Sequence, residues 1–388
     1  MSNCATDFAF ANQEEAFAVL ETSCGTLTKP AVTDRIFTVG PVDFGQEREL
    51  LEDMQIRAAA SQLPSIKARL LTGDFSFETY VKPSGTPGTA PEHDKLFQCL
   101  MGVKTPTPGV KVEYTLANQL DSLTFWAKKG HTVFALRGAT IESAEFTITG
   151  DAVASIRWSG KLMERLWAGE TPADDTCGPD KTVIQLPSKG AQRFVKGMFV
   201  TVGTDDNTDA GYELADVNYT NDTITISPAL VTDQGVNPII YPFWPVAAAE
   251  VGEPAHGKLG IVTVSGQPAI VTQAVLTLTN NIKYYDNEKN DVWTAERFGR
   301  PGKRLAEGTL TVFFLKQGPS YFYRSDYRIT DALIIPVGNV AGKIMEISVP
   351  YAEYKAPKIT GTEEFQQEIG FKAVASGALN DELKITFK

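Results

Sequence analysis

Histidine and cysteine are scarce in this sequence, and neither is grouped. The 388 residues hold three histidines (His93, His131, His256) and four cysteines (Cys4, Cys24, Cys99, Cys177). No histidine has a ligating partner two to four residues downstream, and no C-x-x-C pair exists, so neither a metal pair nor a disulfide framework is indicated. The histidines are expected in solvent: His93 in a helix's first turn, His131 at a hairpin tip and His256 in a linker. The cysteines are expected as free, small apolar side chains in a reducing compartment. A G-x-S-x-G elbow is missing, and "GRPGKR" (Gly299 to Arg304) lacks the spacing of a phosphate loop.

Positive charge is also in deficit. Lys and Arg number 36 against 47 Asp and Glu, a net charge of −11, so nothing in the charge balance points to a general nucleic-acid binder held by phosphate neutralisation. The opening "MSNCATDFAF" has no basic region followed by an apolar core, and no apolar run nears the ~18 residues of a membrane helix. A cytoplasmically made protein without membrane contact is expected. Acidic pairs such as Glu47/Glu49, Asp174/Asp175 and Asp205/Asp206 fall in polar loops, where solvated carboxylates are the expectation. "DDNTDAG" reads as a hairpin tip, for it lacks the distal Glu of a calcium loop. No catalytic residue, metal or cofactor is expected.

What the sequence does have is β patterning. "DFSFETYV" puts Phe75, Phe77, Thr79 and Val81 on one face, and "SLTFWAKKGHTVFALRG" reads as a hairpin across Lys129-Gly130. Aromatics on such strands (Trp126, Phe134, Phe313, Phe314 among them) are expected in the core. In "PEHDKLFQCLMG" a stripe of Leu96, Phe97, Leu100 and Met101 ends at Gly102, predicting a helix. Ser325 to Ile334 is a second helix candidate.

The sequence also repeats itself. "KARLLTGDFSFETYVKPSG" (Lys67 to Gly85) is echoed by "GKRLAEGTLTVFFLKQG" (Gly302 to Gly318), with Gly73 matching Gly308 at an offset of 235. Thr132 to Gly150 matches Lys343 to Gly361 at an offset of 211, both closing on Ile-Thr-Gly. The difference of 24 is about the length of Lys104 to Lys128, which has no counterpart. The expected organisation is an extended N-terminal arm (1–28), a β domain (29–171), a small insert (172–256) and a second β domain (257–388). The insert carries twelve acids and four bases, leaving only −3 for the rest, and reads as a separate acidic all-β unit. Its strands are expected at 182–186, 198–202, 212–218 and 223–227.

The order of "VDFGQERELLEDMQIRAAASQLPSIK", "GDFSFETYVKPSG", a short helix ending "LMG", "LRGATIESAEFTITGDAVASIRWSG" and a closing "EFQQEIGFKAVAS" resembles tail tube (major tail) proteins of long-tailed bacteriophages. "RFVKGMFVTVG…YELADVNYTNDTITISPAL" is similar to a small β module inserted in such proteins. The resemblance implies a mainly β fold: two tail-tube-type β-sandwiches, each with a short flanking helix, plus the inserted domain on the outer surface. It implies a virion subunit that assembles in the host cytoplasm into stacked rings around a DNA channel. Two tube domains per chain would make a six-domain ring from three chains. Tape measure and tail terminator proteins would be partners, with DNA passing transiently. The external insert leans toward a tail without a contractile sheath.

The resemblance also places ring-to-ring contacts on the N-terminal arm and on the two long inter-strand segments, 45–67 and 283–303. Opposite charge on these loops (Glu47, Glu49, Glu52, Asp53 and Arg57 against Arg297, Arg300, Lys303 and Arg304) marks them as contacts between subunits. A wall that lets DNA slide should be small, polar or acidic, and Ser76, Glu78, Glu142 and Glu145 are the channel-facing candidates. The alternative reading is a multi-domain β-rich binding protein, such as a glycan-binding spike or adhesin.

Overall fold

The computed structural model describes residues 14–54, 64–246, 250, 252–257, 260–284, 302–316, 319–361, 364–377 and 379–388. The protein is mainly β, with 27 strands and two α-helices among the described residues. The first half begins with β1 (Glu15–Leu20), β2 (Arg35–Ile36), β3 (Asp43–Gly45), β4 (Arg48–Leu51), β5 (Ile66–Leu70) and β6 (Gly73–Tyr80). After α1 (Asp94–Met101) come β7 (Gly102–Thr107), β8 (Lys111–Leu116), β9 (Leu123–Lys129), β10 (Thr132–Thr149), β11 (Ser155–Leu162) and β12 (Glu164–Ala168).

The insert holds β13 (Thr171–Pro172), β14 (Val183–Gln185), β15 (Phe199–Val202), β16 (Tyr212–Asn218), β17 (Thr223–Ser227) and β18 (Ile239–Pro242). The second half opens with β19 (Thr263–Val264), β20 (Gln267–Pro268), β21 (Val271–Thr279) and β22 (Leu305–Phe313). Then follow α2 (Pro319–Asp326), β23 (Thr330–Val337), β24 (Met345–Tyr354), β25 (Lys358–Thr360), β26 (Gln366–Ala373) and β27 (Lys384–Phe387).

Nineteen of these strands join in one continuous barrel-like system. Its branch points are two long strands. The first part of β10 pairs with β9 and β12, and its last part with β11 and β21. The switch needs a bend, which occurs at Gly138 (φ +59°), where an added Cβ would lie 2.3 Å from Met163 Sδ. In β24 the exchange is on one side: β27 pairs through Met345–Ser348 and β26 through Ala352–Tyr354, while β23 runs alongside from Met345 to Glu353 with a register shift near its middle.

The pairing order recurs between the halves. β1–β2, β1–β9, β3–β6, β6–β11, β9–β10, β10–β11 and β10–β12 have counterparts in β19–β20, β19–β23, β21–β22, β22–β26, β23–β24, β24–β26 and β24–β27. A helix follows β6 in one half and β22 in the other. The matched glycines also play one part: a Cβ on Gly73 would meet Gly45 O at 2.4 Å, and one on Gly308 would meet Val275 O at 2.2 Å. Both sit where a neighbouring strand's carbonyl leaves no room for a side chain.

One core serves both halves. It runs from Phe75, Phe97, Phe146 and Trp158 to Leu276, Ile347, Phe371 and Phe387. Strand pairs also cross: β10 with β21 over seven residue pairs, and β8 with β27 over four. At the centre is Phe97 on α1, 5.2 Å from Tyr114 and 5.3 Å from both Trp158 and Phe387.

Several expectations need correction. The N-terminal segment is not all arm, because Ala16, Phe17, Ala18 and Val19 are buried and β1 pairs along β9; residues 1–13 lie outside the described ones. Helix α2 starts and ends earlier than 325–334, and the alternating Leu333, Ile335 and Val337 form a strand instead. Of the unmatched segment 104–128, only the β7–β8 hairpin is extra, since β9 corresponds to β23. The insert's four expected strands exist within two residues, in a sheet ordered β13-β18-β15-β16-β17-β14. It is not a separate unit, however. Its Phe194, Met198 and Tyr212 share a second core with Phe17, Trp126, Val133 and Leu166.

Candidate assembly surfaces

Two surfaces gather the residues singled out from the sequence. The first is the outer face of a sheet that crosses both halves, in the order β3-β6-β11-β10-β21-β22-β26-β25. Alternate residues turn inward, among them Phe75, Phe77, Ile156, Phe146, Leu276 and Leu310. Thr79 also turns in, where its hydroxyl accepts a 2.9 Å bond from Trp158 Nε1.

The outward residues line up in rows. Glu78, Arg157, Glu145, Thr277, Glu307 and Lys372 stand opposite one another strand by strand. A second row runs Ser76, Ser159, Ser143, Thr279, with Ser143 and Ser159 hydroxyls 2.7 Å apart. Glu142 falls at the bulge between Ile141 and Ser143, with Lys161 Nζ 3.5 Å away. All four channel-facing candidates therefore stand on one sheet face, which is polar, rich in hydroxyls and mixed in charge. The strands at its two margins, β3 and β25, are three residues each.

The second surface is the β4–β5 ribbon, which pairs with no other strand among the described residues. Glu47 and Glu52 are exposed on it, and Glu49 and Asp53 half-buried; Arg57 lies outside the described residues. Arg297 and Arg300 lie outside the described residues, and Lys303 is exposed. Arg304 turns inward, donating to Ala117 O and, at 3.4 Å, to Asn380 Oδ1. Burial draws its pKa down against the pull of Glu382.

Sequence reasoning missed the bare apolar residues. On and beside the ribbon, Leu50 is 59 % exposed, Met54 84 % and Ile66 53 %. The signal was the adjacent Leu-Leu of "RELLEDM", which no half-buried strand can hide on one face. On and just past α2, Tyr323 and Tyr327 are exposed with ring centroids 4.5 Å apart.

Buried polar groups elsewhere are structural. His93 is 1 % exposed, contrary to expectation; it stands at the N-cap position of α1, and its side chain makes no capping bond. Burial, with the Lys82 charge added, pushes its pKa down to about 3. Lys82, also buried, bridges Glu250 and lies 3.5 Å from Glu92, whose pKa is raised by burial. Asp205 is likewise buried rather than solvated; it accepts bonds from Thr232 and Asn207 and so fixes the turn. Burial pushes the Cys177 thiol up to about 11 and raises Cys99 as well, so both are inert thiols. No group of three or more metal-ligating side chains occurs among the described residues. None of their helices is long and apolar enough to cross a membrane. No protein-family model matches the chain, and no curated protein matches its sequence.

Proposed function

We propose that this chain is a structural subunit of a phage tail tube, joining copies of itself into closed rings that stack around a channel for DNA. The observation that carries this reading is the sheet common to both halves. Its exposed face is polar and mixed in charge, bears Ser76, Glu78, Glu142 and Glu145, and ends in short, unprotected strands. A wall of hydroxyls and paired charges gives a passing polyanion no sustained attraction.

The join of β10 to β21 supports closure. There the edge strand β10 of the first half's share of the sheet meets the edge strand β21 of the second half's share. Repeating that step between chains brings β25 of one copy beside β3 of the next, and unpaired margins are removed when the ring closes. Three chains then supply six halves. The insert packs on the far side of the β1–β9–β10–β12 sheet from the main core, which suits an outer position. Tape measure and tail terminator proteins are the expected partners at the tube's lumen and end.

Electron microscopy of the concentrated, purified protein tests the reading: tubes with six lobes per ring and a ring mass of three chains are expected. Monomers under all assembly conditions would falsify it. Rings of six chains with twelve lobes would remove the stoichiometry and leave the tube.

A further inference from the structure

We propose that the β4–β5 ribbon of one copy docks sideways on the α2 face of the neighbouring copy and clamps the seam between chains. This rests on the self-assembly reading above, but it concerns a contact within a ring rather than between stacked rings.

The template lies inside the chain, at the join of its two halves. Beyond β21 the backbone continues along β10, with Asn280 N donating to Glu142 O at 2.8 Å. The Asn280 side chain donates to Leu100 O at 3.0 Å, on the last turn of α1. Tyr284 OH donates to Gly138 O at 2.7 Å, at the bend of β10. Where the chain returns toward β22, Arg304 donates to Ala117 O. The connection between β21 and β22 thus grips the helix end and strand bend of the preceding half.

By the repeated pairing order, β3 and β6 are the counterparts of β21 and β22. The connection between β3 and β6 is the one that carries the ribbon. The counterparts of α1 and the β10 bend are α2 and the middle of β24. On both of these surfaces large apolar or aromatic side chains stand exposed. The ribbon side shows Leu50, Leu51, Met54 and Ile66, each more than half exposed, and the helix side shows Tyr323 at 56 %, Tyr327 at 69 % and Tyr351 at 40 %.

The physical chemistry fits a docking pair. An isolated two-stranded ribbon is marginal in water and gains most from a surface to lie on. Tyrosines present rigid apolar rings with a polar tip and are enriched at interfaces. The two surfaces differ from each other, so the contact is head-to-tail, and a head-to-tail contact whose rotation closes makes a ring.

Disulfide trapping tests this on the full-length chain carrying Leu50→Cys together with Tyr327→Cys. Oxidation at assembling concentration should give covalent oligomers that stop at a fixed, small number of chains. Either single variant, which controls for Cys4 and Cys24, should give none. An open-ended ladder would place the contact between rings and overturn the proposal. Rings or tubes in micrographs without cross-linking would overturn it and leave the tube reading standing. Absence of any particle removes both. Independently, Tyr323→Glu with Tyr327→Glu alters only exposed side chains and should keep the circular dichroism spectrum while weakening association by about tenfold or more. Unchanged association of that folded variant counts against the clamp.

Discussion

Gly308 has no freedom to be anything larger. A methyl group there would sit 2.2 Å from Val275 O and 2.7 Å from the Phe371 ring, so Gly308→Ala must displace backbone or ring. Overpacking of this kind costs about 1–3 kcal/mol, and urea denaturation should show a lower midpoint with the slope unchanged. Gly73→Ala, facing Gly45 O at 2.4 Å, should behave alike. His93 sets a different test. Its folded pKa, about 3, lies far below the ordinary 6.5, so on acidification the unfolded chain takes up a proton that the folded chain refuses. Its contribution is intact above pH ~6.5 and is lost as pH falls below that, by up to about 1.4 kcal/mol per unit. Glu92 beside it runs the other way, because a carboxyl whose pKa is raised by burial costs stability as pH rises above its unfolded value. Replacing His93 with Gln should flatten stability between pH ~6.5 and ~5, where wild type declines; equal slopes would remove His93 as the cause.

At the scale of elements, α1 and the insert are less self-contained than their sequences suggest. Phe97 touches aromatic rings from β8, β10, β11 and β27, so Phe97→Ala should cost about 3–5 kcal/mol and loosen both halves together. Excising the insert should not leave a clean first half. Phe17, Val19, Trp126, Val133 and Leu166 would lose their cover, and the shortened chain should bind hydrophobic dyes and aggregate. A soluble, dye-negative product would show that the insert is a passenger.

For the whole molecule, a core that crosses from Phe75 to Phe387 predicts that the two halves unfold together. With Trp244 and Trp293 replaced by Phe, tryptophan fluorescence reports Trp126, Trp158 and Trp167 of the first half, and it should coincide with circular dichroism, which reports both halves. Two separated transitions would mean that the halves are independent. The proposed wall makes a further statement at this scale: at about 0.15 M salt, duplex DNA should show no saturable binding to the protein.

Local pattern alone fixed a good deal. Period-two alternation located β6 and the insert's strands, an apolar stripe with a closing glycine located α1, and the matched glycines disclosed a repeat whose pairing order the fold repeats as well. These features are written by neighbours in the chain, through side-chain direction and backbone sterics. It was tertiary packing that decided the rest. Whether Glu15–Leu20 hangs free, whether His93 sees water, and whether Arg304 points outward depend on surfaces brought from 20 to more than 180 residues away. The four channel-facing candidates came to share one face only because β11 pairs with both β6 and β10, setting strands distant in sequence into one sheet. Alternation tells which side of a strand is wet; only the assembled sheets tell what that wet side looks onto.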